Sequence, residues 1–334
     1  MSETKRVRII DIAEELGVST ATVSNVIHGK TKKISKETVK RVEKLLEERE
    51  YIPNMAGILL ARNDSGIVGV VIHNHPKYED HLLQDPFIAA SLDGLSAEIE
   101  KQKLFMMIKT TRDINEVIKF ATMWNLVGLV VIGFCEQDYD ELRSRMRIPF
   151  VVYDGMFKES RSRICNISID DFDGGYQMGK HFARNHKKIL CISDNKESMD
   201  LKRYEGFAHA LSEHGSCPDF MLIPLQHDER IAFYRQNKDC FNRHTAVFAM
   251  SDVYAVELMQ FLQSEGYRIP EDMAVAGFDD APICTKVCPA LTTIRQDPSA
   301  RARKAIEILL GLKNKDDMPA QIMLPVELVI RGSA

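Results

Sequence analysis

The chemistry open to this chain starts with a run of small polar side chains, Ser19-Thr20-Ala21-Thr22-Val23-Ser24-Asn25, placed just after Gly17. Ser19 sits where a helix N-cap belongs, its hydroxyl accepting the backbone N–H of Thr22. Gly17 suits the tight, positive-φ connection between two short helices. Ile12, Ala13 and Leu16 before it, with Val23, Val26 and Ile27 after it, recur at spacings of one, three and four and define one small core. Thr20, Ala21, Thr22, Ser24 and Asn25 are then left outward. The unit is a helix-turn-helix whose second helix reads a partner through hydrogen bonds and methyl groups.

Other reactive constellations are missing. The sequence holds no P-loop, no GxSxG and no paired catalytic His, so no catalytic residues and no enzyme activity are expected. Asp171 and Asp173 form a carboxylate pair, but they precede Gly174-Gly175 and read better as charges matched to a helix N-terminus. Asp280 likewise reads as structural. The seven cysteines are scattered without a CxxC pair, which fits free thiols in a reducing compartment. Cys284 and Cys288 lie four apart with no His to complete a ligand set, so neither a metal nor a cofactor is expected.

These side chains need elements to hold them. A basic loop, Lys30-Thr31-Lys32-Lys33-Ile34, leads to Ser35 as the N-cap of a third helix carrying Val39, Val42, Leu45 and Leu46. Pro53 ends this module. Residues 55–62 make a two-turn helical stretch too short to be stable alone, and Asn63-Asp64-Ser65-Gly66 is a linker. From Ile67 the pattern changes to apolar runs of strand length alternating with longer amphipathic segments, the mark of parallel sheets covered on both faces. Strands are expected at 67–72, 104–108, 126–132 and 150–153, the last closing a first sheet. A second series starts after Ile167, with strands at 189–193, 220–225, 246–249 and 273–278. The helix at 299–312 and the run 324–330 are left over, as happens when a chain crosses back between halves. The expected fold is an N-terminal all-α helix-turn-helix domain (1–54), a hinge helix and linker (55–66), and an α/β domain (67–334). Its two similar parallel-sheet subdomains take about 67–166 with 297–325, and about 167–296 with 326–334.

Charge follows the same division. Residues 1–62 hold 12 Lys and Arg against 9 Asp and Glu, while the remainder holds 32 against 39. A basic module on an acidic body fits nucleic-acid contact through the first part. No apolar run reaches the roughly 18 residues of a membrane span, and the N-terminus lacks the apolar core of a signal peptide, so a cytoplasmic chain with no membrane partner is expected.

Over nearly its full length the sequence resembles the lactose/galactose repressor family of bacterial transcription regulators. The resemblance is carried by Ile12-Ala13 with Gly17-Val18-Ser19 and Thr22-Val23-Ser24, by Tyr51-Ile52-Pro53-Asn54, by Asp85-Pro86-Phe87 and by Asp170-Asp171-Phe172-Asp173-Gly174-Gly175. It continues through Arg203-Tyr204-Glu205-Gly206-Phe207, Ile269-Pro270-Glu271-Asp272, Val275-Ala276-Gly277-Phe278-Asp279-Asp280, Leu291-Thr292-Thr293-Ile294-Arg295-Gln296 and Leu324-Pro325-Val326-Glu327-Leu328. Each motif is weak; their order and spacing together are strong. The resemblance implies a homodimer whose paired reader helices enter successive major grooves of double-stranded operator DNA. It maps base contacts onto Thr20, Ala21 and Asn25, and phosphate contacts onto Ser19, Thr22, Ser24 and Asn54, aided by Lys32, Lys33 and Lys36. It makes 55–62 a hinge helix that folds on DNA and pushes Leu60 into a minor-groove step. Two departures stand out. Arg8 replaces a capping Thr or Ser, leaving that helix end looser or giving a phosphate contact, and Gly57-Ile58 replaces Ala-Arg in the hinge.

The α/β part resembles periplasmic sugar-binding proteins, with a ligand held between the halves. By position the resemblance assigns Phe87, Asp154, Arg203, Ser251, Asp252 and Asp279 to an effector site. Carboxylates and Arg suit a polyol, since each hydroxyl both donates and accepts. Phe87 is placed to stack on a ring face, and Ser251 stands in for the family's usual Asn. His73, His75 and His227 are within reach of the cleft but read more simply as surface or satisfied histidines. The implied partners are operator DNA, a small carbohydrate-like effector and a second copy of the chain. Within the family a regulator controlled mainly by a protein partner is the alternative; a solute-binding protein is disfavoured by the reader unit.

Overall fold

The computed structural model describes residues 7–52, 65–78, 81–134, 136–155, 157 and 164–334. It divides into two units, Met1–Ser65 and Gly66–Ala334. In the first, α1 (Ile9–Leu16), α2 (Thr20–Ile27) and α3 (Lys36–Glu48) surround Ile12, Ala13, Val23, Val26, Val42 and Leu45, all buried. Gly17 ends α1 at φ 65°, a left-handed conformation that a side chain would strain. Ser19 and Ser35 cap α2 and α3, accepting the backbone N–H of Thr22 and Thr38 at 3.1 Å each. The start of α1 is closed rather than loose, because Asp11 accepts the Arg8 backbone N–H at 2.7 Å and its guanidinium at 3.3 Å. Arg49 grips Glu15 with a two-pronged bond at 2.8 and 2.9 Å, fastening α3 to α1. Asn54, Leu60, Gly57-Ile58 and the hinge expected at 55–62 lie outside the described residues.

The second unit contains two six-stranded sheets. The first, in the order β11-β5-β4-β3-β1-β2, is parallel throughout. Its strands are β1 (Ile67–His73), β2 (Phe105–Thr111), β3 (Gly128–Ile132), β4 (Phe150–Tyr153), β5 (Asn166–Ile169) and β11 (Gln321–Leu324). The second, ordered β12-β10-β9-β8-β6-β7, is parallel except at its edge, where β12 runs against β10. It comprises β6 (Ile189–Ser193), β7 (Asp219–Leu222), β8 (Ala246–Ala249), β9 (Ala274–Asp279), β10 (Thr292–Arg295) and β12 (Glu327–Val329). Around the first sheet lie α4 (Pro86–Lys101), α5 (Ile114–Met123) and α6 (Glu136–Arg145). The second sheet carries α7 (Asp171–Ala183), α8 (Ser198–Ser212), α9 (His227–Gln236), α10 (Lys238–Phe241) and α11 (Asp252–Ser264). The last helix, α12 (Pro298–Asn314), returns to the first sheet, burying Ala302, Ala305 and Leu309 against Val68 and Val130.

Two corrections to the sequence reading follow. The first sheet does not close at Tyr153: β5 pairs with β4 and β11 pairs with β5, so the first subdomain runs to Ile169, past the expected boundary at 166. The chain passes between the sheets at Pro325-Val326, β11 ending at Leu324 in the first and β12 starting at Glu327 in the second. The helix expected near 229–240 is broken at Asn237, which ends α9 and starts α10. The misplaced boundary has a simple cause. A strand pattern records burial on both faces, and it cannot say which sheet buries it.

Two glycines bring α7 and α8 into backbone contact. A Cβ on Gly175 would lie 1.9 Å from the Arg203 carbonyl oxygen, and one on Gly206 would lie 1.9 Å from that of Phe172. This close approach places the Arg203 side chain beside Asp171. Among the described residues no helix is long and apolar enough to cross a membrane.

Candidate DNA-reading helix and ligand cleft

On α2, Ser19, Thr20, Ala21 and Asn25 are exposed, and Thr22 and Ser24 are half-buried. The Ser19 and Thr22 hydroxyls lie 2.9 Å apart, so one of their two protons is used between them and the other remains to donate outward. Lys32, Lys33 and Lys36 are exposed around the loop into α3. The surface thus offers an amide, methyl groups and hydroxyls along one helix face with ammonium groups nearby. Those are the groups that meet base edges and phosphates respectively.

In the second unit, charged and polar side chains gather where parallel strands end. Asp154 follows β4 with φ 63°, and Asp279 ends β9 with φ 122°, followed by Asp280 at φ 56°. Non-glycine residues held at positive φ carry about 1–3 kcal/mol of strain each, tolerated where the surroundings dictate the geometry. Asp279 accepts from Gln296 Nε2 at 2.6 Å, and Gln296 Oε1 accepts from Arg301 Nη2 at 2.6 Å. Arg301 Nη1 lies 3.1 Å from Asp154 Oδ1. On the other side Asp279 is 3.9 Å from Arg203 Nη2, whose Nε donates to Asp171 at 2.8 Å and whose Nη1 donates to the Met250 carbonyl at 2.6 Å. The Arg203 guanidinium also lies 3.7 Å from the Phe278 ring centroid. Phe87, half-buried beside the α4 N-cap Asp85, tilts toward Tyr153 with ring centroids 6.5 Å apart. Phe87, Asp154, Arg203 and Asp279 are therefore brought together, linked through Gln296, Arg301 and Asp171.

Burial controls the charges. It pushes the Asp279 carboxyl up to about 8 and that of Asp171 up to about 6, against the pull of Arg203. Burial also works against the Arg203 charge, but Asp171, Asp279 and Asp200 outweigh it and hold the guanidinium above its usual range. Lys77 of the first subdomain is exposed, and neighbouring Tyr78, Asp85, Asp194 and Asp200 hold its ammonium above its usual range.

Asp252 departs from the sequence expectation, and Ser251 has a structural role as well. Asp252 is 1% exposed, and its oxygens accept from Thr293 Oγ1 at 2.6 Å and from the Ala281 backbone N–H at 2.7 Å. Burial pushes it up to about 6. It braces β9, β10 and α11, and its burial leaves no exposed oxygen for a ligand in this geometry. Ser251 caps α11, accepting the Tyr254 N–H at 3.4 Å. Asp171 and Asp173 lie in the first turn of α7, whose cap is Asp170, its Oδ1 accepting the Asp173 N–H, and Asp171 is in addition the buried counter-ion of Arg203. His75 and His227 take their simpler reading, whereas His73 is half-buried and its Nδ1 makes no hydrogen bond. His73 stacks edge-on with Phe134, His75 accepts the Lys77 backbone N–H, and His227 pairs with Glu257, which also holds Arg230. Gln296 and Arg301 were missed because neither stands out in sequence: one ends a strand and the other lies in an amphipathic helix. One cavity of 180 Å³ lies beside Gly155, Asn166, Asp171 and Met323, and another of 190 Å³ lies between Lys180, Arg184 and Ile330.

Comparison with known proteins agrees with this division. Residues 8–54 match the model of bacterial regulatory proteins of the lacI family, and residues 180–334 match the periplasmic binding protein-like domain. The HTH-type transcriptional repressor PurR of Haemophilus influenzae is 30% identical over 347 residues, spanning 97% of this chain and 98% of its own. Among solved structures, the lac repressor dimer bound to operator and the anti-inducer ONPF is 22% identical with a TM-score of 0.83, covering 98% of this chain and 99% of that one. The transcriptional regulator CelR in complex with cellobiose is 21% identical with a TM-score of 0.72, covering 98% and 100%.

Proposed function

The chain belongs to the lacI family of bacterial regulatory proteins, and from that premise we propose that it is a homodimeric, operator-binding repressor controlled by a small polyhydroxylated effector held between its two sheets. The observation that carries the effector site is the linked set Arg301–Gln296–Asp279–Arg203, which joins the first subdomain to the second at the strand ends. A ligand there touches both subdomains, and its different affinity for two closure states is what couples it to DNA. The cellobiose held by the CelR neighbour supports a sugar as the effector class.

On DNA, Thr20 and Ala21 meet thymine methyl groups, and Asn25 pairs with adenine, discriminating by about 1–3 kcal/mol. Ser19, Thr22, Ser24, Asn54 and Lys33 hold phosphates, and Leu60 enters the minor groove as a wedge. The test is operator selection from a random duplex pool with the full chain, followed by anisotropy titration of the selected duplex across salt concentrations. Asn25→Ala is expected to relax preference at one base-pair position with the salt slope nearly unchanged, whereas Lys33→Ala lowers the slope and leaves preference intact. Failure to enrich any sequence, or identical selections by wild type and Asn25→Ala, would refute the reading.

A further inference from the structure

Arg301 lies in the first turn of α12, where Ala302 and Ala305 pack into the core, and it is itself only 1% exposed. One nitrogen, Nη2, donates to Gln296. Nε and Nη1 donate to nothing, and neither does the nearest carboxylate oxygen, Asp154 Oδ1, accept anything. The two charges are 3.1 Å apart and attract, but the N–H groups do not point at the oxygen. The Phe87 and Tyr153 rings wall the guanidinium at 5.5 and 5.3 Å. A buried donor or acceptor left unmade carries the full cost of its lost hydration, so three such atoms side by side call for something to complete them.

Adjacent free donors and a free acceptor match a group that accepts and donates on neighbouring atoms. A vicinal diol does so: its oxygens accept from Arg301, and one of its protons goes to Asp154. The Arg301 and Asp154 charges offset each other, which favours a neutral ligand over an ion. We propose that Arg301 is a specificity-determining residue of the cleft and that, with Asp154, it grips two adjacent hydroxyls of a neutral sugar. This rests on the cleft reading above. Through Gln296 the same guanidinium is tied to Asp279, so the grip on the first subdomain is felt on the second.

The test is a thermal-shift and calorimetric titration of the full chain with D-ribose, D-xylose, D-glucose and cellobiose, each beside a monodeoxy analogue. Wild type is compared with Arg301→Lys, which keeps the charge and loses the planar fork, and with Arg301→Gln. At least one sugar is expected to bind wild type, and Arg301→Lys to weaken it about 10- to 100-fold. Removing one hydroxyl of the gripped pair should weaken wild type by a similar factor and have little further effect in the variant, the signature of a shared contact. Equal binding by wild type and a variant whose far-ultraviolet dichroism is unchanged overturns the role of Arg301 and leaves the cleft reading standing. Additive losses from the deoxy sugar and the substitution overturn it as well. Binding by no sugar sinks the diol chemistry and the carbohydrate effector together, while operator selection remains an independent result. If both Arg301 variants fail to fold, Asp154→Asn carries the same cycle from the acceptor side.

Discussion

Replacing Asp279 by Asn isolates one buried charge. The carboxyl ionises near 3.9 in an unfolded chain and is pushed up to about 8 when folded, chiefly by burial. Below pH 4 both states hold the proton and the group contributes no difference. As pH rises toward 8 the unfolded chain has released the proton while the folded chain keeps it, so wild-type stability falls, by about 1.4 kcal/mol per unit of pH at most. The side chain is 21% exposed, and Arg203 at 3.9 Å resists the penalty, so a loss of about 2–4 kcal/mol between pH 5 and pH 8 is expected from this residue. Asn keeps the oxygen that accepts from Gln296 and removes the titration. Urea unfolding of both proteins at pH 5 and pH 8 measures the difference: Asp279→Asn should gain on wild type as pH rises. If Asp279→Asn is instead more damaging at pH 8 than at pH 5, the carboxylate is ionised and held by Arg203, and the account of burial given above is wrong.

Three further outcomes follow from the packing. Asp171→Ala leaves the Arg203 charge buried without its nearest counter-ion and should cost about 3–5 kcal/mol in denaturant unfolding, far more than loss of a surface pair. Gly206→Ala puts a methyl group 1.9 Å from the Phe172 carbonyl oxygen, forcing α7 and α8 apart; a loss of about 3 kcal/mol or more in unfolding by urea is expected, and a neutral result would mean the helices have room to separate. Ser19→Ala removes the α2 cap and should lower the melting free energy of the first unit by about 1 kcal/mol, read by helical dichroism.

Local rules account for what was legible in the sequence. Ser19 and Ser35 are caps because hydroxyls there meet orphan N–H groups a few residues ahead, and the core of the first unit follows from helical spacing alone. The alternation of strands and helices was equally visible, as was the gathering of Asp154, Arg203 and Asp279, which the family resemblance carried. Asp252 was misassigned because a sequence shows a carboxylate after a strand but not whether its oxygens are already spent on Thr293 and Ala281.

What the chain order cannot specify is which sheet claims a strand. β5 joined the first sheet, past the expected boundary at 166, because pairing between distant segments is not recorded in a strand's local pattern. The same long-range folding carries Arg301 from an unremarkable helix position to a place 3.1 Å from Asp154, 147 residues earlier in the chain. Sequence by itself determined the reader helix, its caps and the two-sheet plan, since those depend on neighbours three or four residues apart or on the period of burial. Only the tertiary structure decided which buried charges face one another, because a charge's state depends on the water it has lost and on partners brought near by folding.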